Sequence, residues 1–117
     1  MKNIKIWHNS SCSKSRAALE LLQSKDCDIN VVSYLENTPS IEEIKDVIKL
    51  LKTDARAIMR TKETLYKELN LSDESLSQDD LIIAMTNNPI LIERPIVIKD
   101  GQAAIGRPIE NIIDLIS

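Results

Sequence analysis

The order of hydrophobic patterns along the chain restricts its fold more than any other feature of the sequence. A short run that contains Ile4, Ile6 and Trp7 predicts a strand, which ends in a polar cluster. Residues 13–24 then carry apolar side chains at helical spacing, and the β-branched residues 29–35 predict a second strand. A β-α-β opening of this kind places the two strands in parallel, with a crossover helix between them.

The last part of the chain predicts an antiparallel hairpin followed by a helix. Asp100-Gly101 is a strong two-residue turn between apolar strands at residues 96–98 and 103–105. Pro108 then opens a final helix with apolar residues at helical spacing. The hairpin adds antiparallel strands to the parallel pair, so the sequence predicts an α/β fold with a mixed sheet.

The middle of the chain predicts helices. Ser40 and Glu43 have the spacing of a capping box, and residues 54–87 are predicted to be helical throughout, in about three pieces. We therefore expect β-α-β, a helical insert at about residues 40–89, and then β-β-α. This is the order of elements in a thioredoxin- or glutaredoxin-like fold. A length of 117 residues fits a single domain of this kind, spanning residues 1–117.

Composition and charge exclude several classes of function. The net charge of −3 and the pI near 5.2 argue against a protein that binds nucleic acid or a membrane surface. Both of these partners are negatively charged and attract proteins with an excess of basic residues. No apolar stretch approaches the ~18 residues of a membrane helix. Lys2 and Lys5 are followed by polar residues, not by the apolar core of a signal peptide. We expect a cytoplasmic monomer with no nucleic-acid or membrane partner.

The two cysteines have different expected roles. They are too few for a disulfide scaffold or a four-cysteine zinc site. Cys12 lies at the N-terminus of the first predicted helix, where the positive end of the helix dipole favours a thiolate. The residue three positions later is Ser15, so Cys12 is not part of a Cys-x-x-Cys dithiol. Cys27 is expected beyond the far end of that helix, too distant to bridge to Cys12, and is interpreted as a structural cysteine.

Two arginines flank the predicted hairpin. Arg94 precedes Pro95 at its entry and Arg107 precedes Pro108 at its exit, and the residue before a proline favours extended or turn geometry. Because the two ends of a hairpin lie side by side, these arginines can converge on one point. Planar guanidinium groups match tetrahedral oxyanions, so the pair is a candidate oxyanion site. The alternative is that both arginines are solubilising surface charges.

His8 and Ser15 are candidates for supporting roles. His8, the only histidine, lies four residues before Cys12 and either positions the cysteine loop or is an ordinary polar loop residue. Ser15 either donates a hydrogen bond to a Cys12 thiolate or caps the helix. A lone histidine without several thiols or carboxylates nearby does not make a metal site, so none is predicted.

The motifs of the chain resemble those of glutaredoxin-linked arsenate reductases, and the resemblance covers nearly the whole sequence. The matching segments are His8-Asn9, Cys12, Ser15-Arg16, Tyr34-Leu35-Glu36, Arg56-Ala57 with Arg60, Asn88-Pro89-Ile90-Leu91-Ile92, Arg94-Pro95-Ile96-Val97 and Gly106-Arg107-Pro108. One departure is visible, because the family often has proline between the asparagine and the cysteine, where this chain has Ser10 and Ser11. That change loses a rigid residue but no functional group.

The resemblance implies a thioredoxin-like fold and the reduction of arsenate. It makes Cys12 the nucleophile and assigns the oxyanion to Arg60, Arg94 and Arg107. The implied reaction forms a thiol–arsenate adduct, which glutathione attacks, and glutaredoxin then removes the mixed disulfide. It implies no metal or bound cofactor, because glutathione is an external reductant. Thioredoxin-like folds also place a cis proline opposite the nucleophile, so we expect the Arg94–Pro95 bond to be cis beside Cys12.

Two other functions agree with many of the same residues. One is a redox-sensing regulator or adaptor of thioredoxin-like fold, in which Cys12 is the sensor. The broader family includes regulators that bind RNA polymerase, and these commonly carry a Cys-x-x-Cys pair, which Ser15 breaks here. The other is a glutathione-dependent thiol transferase that acts on protein mixed disulfides. The three arginines favour the reductase over the sensor, because a sensor has no need to hold a tetrahedral anion.

Overall fold

The computed structural model describes residues 2–25 and 27–116, with the backbone alone for Lys2 and Cys27. Over this part of the chain the strands are β1 (Lys2–His8), β2 (Cys27–Ser33), β3 (Ile96–Lys99) and β4 (Gln102–Ile105). The α-helices are α1 (Ser13–Gln23), α2 (Ile41–Leu50), α3 (Thr64–Glu68), α4 (Gln78–Asn87) and α5 (Glu110–Ile116), and short 3-10 helices cover Ala55–Ile58 and Pro89–Leu91. None of these helices is both long and apolar enough to cross a membrane.

The chain forms two compact units. The first contains the chain up to Asn37 and from Arg94 onward, and therefore all four strands with α1 and α5. The second is the segment Thr38–Glu93, which contains the region where the sequence predicts the helical insert. It holds α2, α3, α4 and the two 3-10 helices.

The sheet of the first unit has the strand order β2-β1-β3-β4. β1 is parallel to β2 and antiparallel to β3, and β3 is antiparallel to β4. In this register Ile6 lies opposite Val31 on one side and Val97 on the other. The predicted α/β mixed sheet, with its β-α-β opening and closing hairpin, is confirmed.

The core of the first unit lies between one face of the sheet and its two helices. Alternate residues of β1 point to this face, as the two-residue period of a strand requires. The buried members are Ile4, Ile6, Ala18, Leu22, Val97 and Ile112. Because α1 packs on β1 through this core, its N-terminus lies just beyond the last residue of β1. The connection between the two elements therefore places Cys12 at this edge of the sheet.

Two local signals in the sequence are confirmed at the level of single hydrogen bonds and dihedral angles. At the start of α2, Glu43 N–H donates to the Ser40 hydroxyl, and Ser40 N–H donates to the Glu43 carboxylate, each at 3.1 Å. At the hairpin, Asp100 and Gly101 have φ angles of 45° and 77°. A two-residue turn of this type requires positive φ at both positions, which Asp and Gly tolerate.

The prediction of about three helical pieces over residues 54–87 is confirmed in the number of pieces, but the pieces are shorter than predicted and do not cover the region throughout. Helix α3 has only five residues, and no helix covers residues 69–77. Asn70 adopts a left-handed conformation with φ of 54°, which ends α3, since asparagine tolerates this region better than most residues. The Asp73 carboxylate then accepts a hydrogen bond from Ser75 N–H at 2.9 Å, and this side-chain turn competes with helix.

Gly106 leaves no room for a side chain between the end of β4 and α5. A Cβ atom at this position would lie 2.5 Å from Ile112 Cδ1 and 2.7 Å from Pro95 Cγ. Ile112 is fully buried and the proline ring is rigid, so neither neighbour can yield freely. We expect Gly106→Ala to lower the free energy of unfolding by ~1–3 kcal/mol, as overpacked core positions do.

Urea unfolding measures this loss, with Gly101→Asn as the control. A Cβ on Gly101 would meet nothing within 4 Å, and asparagine tolerates its positive φ. Unchanged stability of Gly106→Ala would show that Ile112 and Pro95 can make space after all.

Candidate active site

Cys12 occupies the N-cap position of α1, as the sequence predicts. Its N–H donates to the Asn9 carbonyl at 3.0 Å, and its own carbonyl accepts from Arg16 N–H at 3.0 Å. The backbone is therefore fixed on both sides of the cysteine. The thiol is free, and the residue is only 8% exposed. Little of this residue is therefore in contact with bulk water.

The loop that precedes Cys12 is held by two further hydrogen bonds. Asn9 Oδ1 accepts from Ser11 N–H at 3.0 Å, and Arg16 Nη1 donates to the Ser10 carbonyl at 2.8 Å. These bonds restrain Ser10 and Ser11, the two residues between Asn9 and Cys12. The sequence analysis did not identify Asn9 and Arg16 as supporting residues. Asn9 could have been identified, because an asparagine side chain often accepts from the backbone N–H two residues later and forms a turn.

His8 and Ser15 form a buried contact between the end of β1 and the first turn of α1. His8 Nδ1 lies 2.7 Å from Ser15 Oγ, and the same hydroxyl accepts from Asn9 N–H at 3.0 Å. Ser15 is fully buried and His8 is 7% exposed. Burial, followed by the charge of Arg16, lowers the pKa of His8, so its ring is neutral at neutral pH. The Ser15 hydroxyl thus contacts His8 and Asn9, while its backbone N–H faces the Cys12 sulfur.

Arg94 and Arg107 come together at the two ends of the β3–β4 hairpin. Arg107 Nε donates to the Arg94 carbonyl at 2.7 Å, and Gly106 N–H donates to the Pro95 carbonyl at 2.8 Å. Arg107 Nη2 also lies 3.4 Å from Cys12 Sγ. The structure therefore brings Cys12, Arg94 and Arg107 together, as the hairpin argument predicts.

Both arginines precede cis prolines. The predicted cis bond at Arg94–Pro95 is confirmed, and Pro95 is buried. The bond between Arg107 and Pro108 is also cis, which the sequence analysis did not predict.

The surroundings of Cys12 favour the thiolate. Burial is the largest single influence and would raise the pKa of Cys12. It is outweighed by the backbone N–H groups of Ser15 and Lys14, together with the charges of Arg94 and Arg107, and the pKa of Cys12 is lowered. A deprotonated, nucleophilic sulfur beside two guanidinium groups can attack the central atom of a bound oxyanion.

The lowered pKa of Cys12 predicts a characteristic pH profile for its alkylation. The rate with iodoacetamide follows the thiolate fraction, so its midpoint should lie below the ~8.5 of a free cysteine. The measurement uses Cys27→Ser, which leaves Cys12 as the only thiol. A midpoint at or above the free-thiol value would contradict the activation of this sulfur.

Arg60 belongs to the second unit. Its Nη1 lies 3.1 Å from Glu63 Oε2, and the Arg60 side chain is 25% exposed. Its N–H donates to the Leu91 carbonyl at 2.8 Å, next to the bridge between Met59 and Ile92. These contacts fix the backbone of Arg60 within its own unit. Its assignment as an oxyanion ligand stays a prediction from the family resemblance.

Cys27 begins β2, and its backbone lies opposite Lys2 in the sheet. Ser33, six residues later on the same strand, lies opposite His8. The Cys27 backbone is therefore at the end of β1 that is remote from Cys12. The prediction that Cys27 is a structural cysteine concerns its side chain, which lies outside the described part of the structure.

The candidate site contains no arrangement suited to a metal ion. Among the described residues, no group of three or more His, Cys, Asp or Glu side chains is placed to ligate one.

A separate surface pocket of about 490 Å³ is lined by Asn3, Lys5 and Asp28, among others, at the other end of β1. It includes neither Cys12 nor the two arginines, so it is separate from the candidate site.

Comparison with known proteins gives a consistent result. The model of the ArsC family matches residues 7–115. An arsenate reductase of Neisseria meningitidis serogroup A is 50% identical over 113 residues, covering 96% of this chain and 97% of that protein. The uncharacterized protein YfgD of Escherichia coli K12 is 49% identical, with 98% of both chains covered. The structure of an arsenate reductase from Vibrio cholerae superposes with a TM-score of 0.93 at 49% identity and covers 97% of each chain.

Proposed function

Since the chain belongs to the ArsC family, we propose that it reduces arsenate to arsenite through the thiolate of Cys12. The observation that carries this proposal is the 3.4 Å contact between Arg107 Nη2 and Cys12 Sγ, with Arg94 bonded to Arg107 through its carbonyl. The Cys12 thiolate, the guanidinium group of Arg107 against it and the positive charge of Arg94 provide both the nucleophile and the charge that an oxyanion substrate requires. The names of the relatives at about 50% identity support arsenate as that substrate.

Binding of arsenate depends on the arginines. Arg94 and Arg107 neutralise negative charge on its oxygens, and Arg60 is proposed as a third ligand on the family resemblance. The local field of these groups outweighs the net charge of −3, because Coulomb interactions are strongest at contact distance. The charges of Arg94 and Arg107 also contribute to the lowered pKa of Cys12, so substrate binding and nucleophile activation depend on shared residues.

The proposed chemistry has three steps. The Cys12 thiolate attacks arsenic(V), an oxygen leaves as water, and a sulfur–arsenic bond forms. A glutathione thiolate then attacks the Cys12 sulfur, and the sulfur–arsenic bond breaks. Its electron pair stays on arsenic, which departs as arsenic(III) arsenite, and a Cys12–glutathione disulfide forms. Glutaredoxin and a second glutathione reduce this disulfide and regenerate the thiolate.

The reductants, compartment and assembly state in this scheme are proposals. Cys12 has no second cysteine three residues away, which supports an external thiol such as glutathione as the electron source. Glutathione and glutaredoxin would act as diffusing partners, and no bound cofactor is needed. A cytoplasmic monomer agrees with this dependence on a reducing thiol pool.

A turnover assay tests the proposed function. The purified protein is incubated with arsenate, glutathione and glutaredoxin, and arsenite formation is measured as each component is omitted in turn. Phosphate or sulfate, as tetrahedral oxyanions, should inhibit competitively against arsenate. Arsenite formation beyond one equivalent per protein that requires all three components supports the complete scheme. Reduction of protein mixed disulfides without any arsenite formation would instead favour the thiol transferase.

A further inference from the structure

The segment that carries Arg107 is bonded to α5 through the side chain of Asn111. Asn111 Nδ2 lies 3.0 Å from the Ile105 carbonyl oxygen and 3.5 Å from the Arg107 carbonyl oxygen. Both partners are acceptors only, so the contacting atom must be the amide nitrogen and the orientation of the amide is settled. One side chain thus contacts the backbone on both sides of Gly106.

These bonds are not those of a helix cap. Asn111 is the second residue of α5, and a capping asparagine there would accept from backbone N–H groups through its oxygen. Its nitrogen instead donates to the chain that precedes the helix. The Asn111 amide therefore binds the backbone at the exit of the hairpin, where Arg107 follows Gly106.

The backbone of Arg107 is not held by the hydrogen bonds of the sheet. The β3–β4 ladder ends at Ile105, so Arg107 lies outside the sheet, and its side chain is exposed. From this position its guanidinium group must reach both the Arg94 carbonyl at 2.7 Å and Cys12 Sγ at 3.4 Å. A small rotation of the Arg107 backbone is amplified along the side chain, so the position of its Cα determines whether both contacts are made.

We propose that Asn111 is a positioning residue, whose amide holds the backbone of Arg107 so that its guanidinium group stays against the Cys12 sulfur. The proposal rests on the proposed function, in which Arg107 binds the oxyanion. It adds a residue from α5 that touches neither the sulfur nor the substrate.

The test compares Asn111→Leu, which keeps a similar shape but cannot donate, with Asp114→Asn as a control on the same helix. Asp114 is exposed, and its substitution should leave the kinetics unchanged. Asn111→Leu should raise the KM for arsenate about fivefold, as expected for the loss of one ordinary hydrogen bond, with a smaller change in kcat. In an Arg107→Lys background the same substitution should have no further effect, because the amide acts through Arg107.

If Asn111 only stabilised the fold, its substitution would not act on the KM for arsenate through Arg107. An unchanged KM in Asn111→Leu, or an equal loss in both backgrounds, would overturn the proposal.

The alkylation rate of Cys12 separates failure of this proposal from failure of the proposed function, because it requires no arsenate. The pH midpoint should rise in Asn111→Leu and in Arg107→Gln, which removes the charge, and should rise no further in the variant that carries both substitutions. An enzyme that reduces no arsenate but shows this pattern would refute the reductase function and retain the role of Asn111. A midpoint unchanged in Asn111→Leu but raised in Arg107→Gln would refute the role of Asn111.

Discussion

Cys12→Ser is expected to abolish arsenate reduction, with a fall of ~10³-fold or more in turnover, because removal of a covalent nucleophile leaves no second route. A serine hydroxyl at the N-cap position preserves the fold, since serine is itself a favoured N-cap residue. Its hydroxyl is a far weaker nucleophile than the thiolate that the arginines and the amides of α1 stabilise. Arsenite formation measures the loss, and circular dichroism verifies that the variant is folded.

Cys27→Ser is the matched control for this experiment. The Cys27 backbone lies at the other end of β1 from the candidate site, so its loss should leave turnover largely intact. Substantial loss of activity in this variant would contradict the single-thiol scheme and indicate an internal resolving cysteine.

Substitution of either hairpin arginine should have the second largest effect. Arg107→Ala removes the guanidinium group that lies 3.4 Å from the sulfur, and loss of one oxyanion-stabilising donor typically costs about 10²-fold in rate. Arg94→Ala should cause a similar loss. The lysine variants should be intermediate, because lysine keeps the charge but lacks the planar fork.

Steady-state kinetics with arsenate measure these effects, and Lys49→Gln controls for the loss of one positive charge at an exposed site on α2. Arg60→Lys and Arg60→Ala apply the same test to the third proposed ligand. Full activity of the lysine variants would mean that the site responds to charge alone. Full activity of the alanine variants would remove these residues from the oxyanion site.

Much of the fold was predictable because its signals are local. The capping box at Ser40 depends on residues three positions apart, and the Asp100-Gly101 turn depends on the dihedral preferences of two neighbours. The convergence of Arg94 and Arg107 could also be predicted, because the ends of a hairpin are adjacent whatever packs around them. Hydrophobic periodicity, in contrast, predicted the three helical pieces of residues 54–87 but overestimated their length before Ser77, since side-chain hydrogen bonds near Asp73 decide the local conformation.

Two supporting contacts of the candidate site were beyond sequence reasoning. Arg16 reaches the Ser10 carbonyl, and Asn111 reaches the Ile105 carbonyl, through rotamers that only the packed structure selects. Neither pattern of residues is distinctive in a sequence, because exposed arginine and asparagine occur on most helices. The sequence predicted which groups meet at the candidate site better than it predicted which groups hold them in place.

The reaction of Cys12 with arsenate can be observed most directly by mass spectrometry of the protein after one turnover. The protein is mixed with arsenate and glutathione without glutaredoxin, quenched with acid, and mapped by peptide analysis. We predict one glutathionyl group on Cys12, present only when arsenate is included, together with one arsenite released per modified protein. Glutathionylation that appears equally without arsenate, or that is found on Cys27, would contradict a mechanism in which the Cys12 thiolate forms the bond to arsenic.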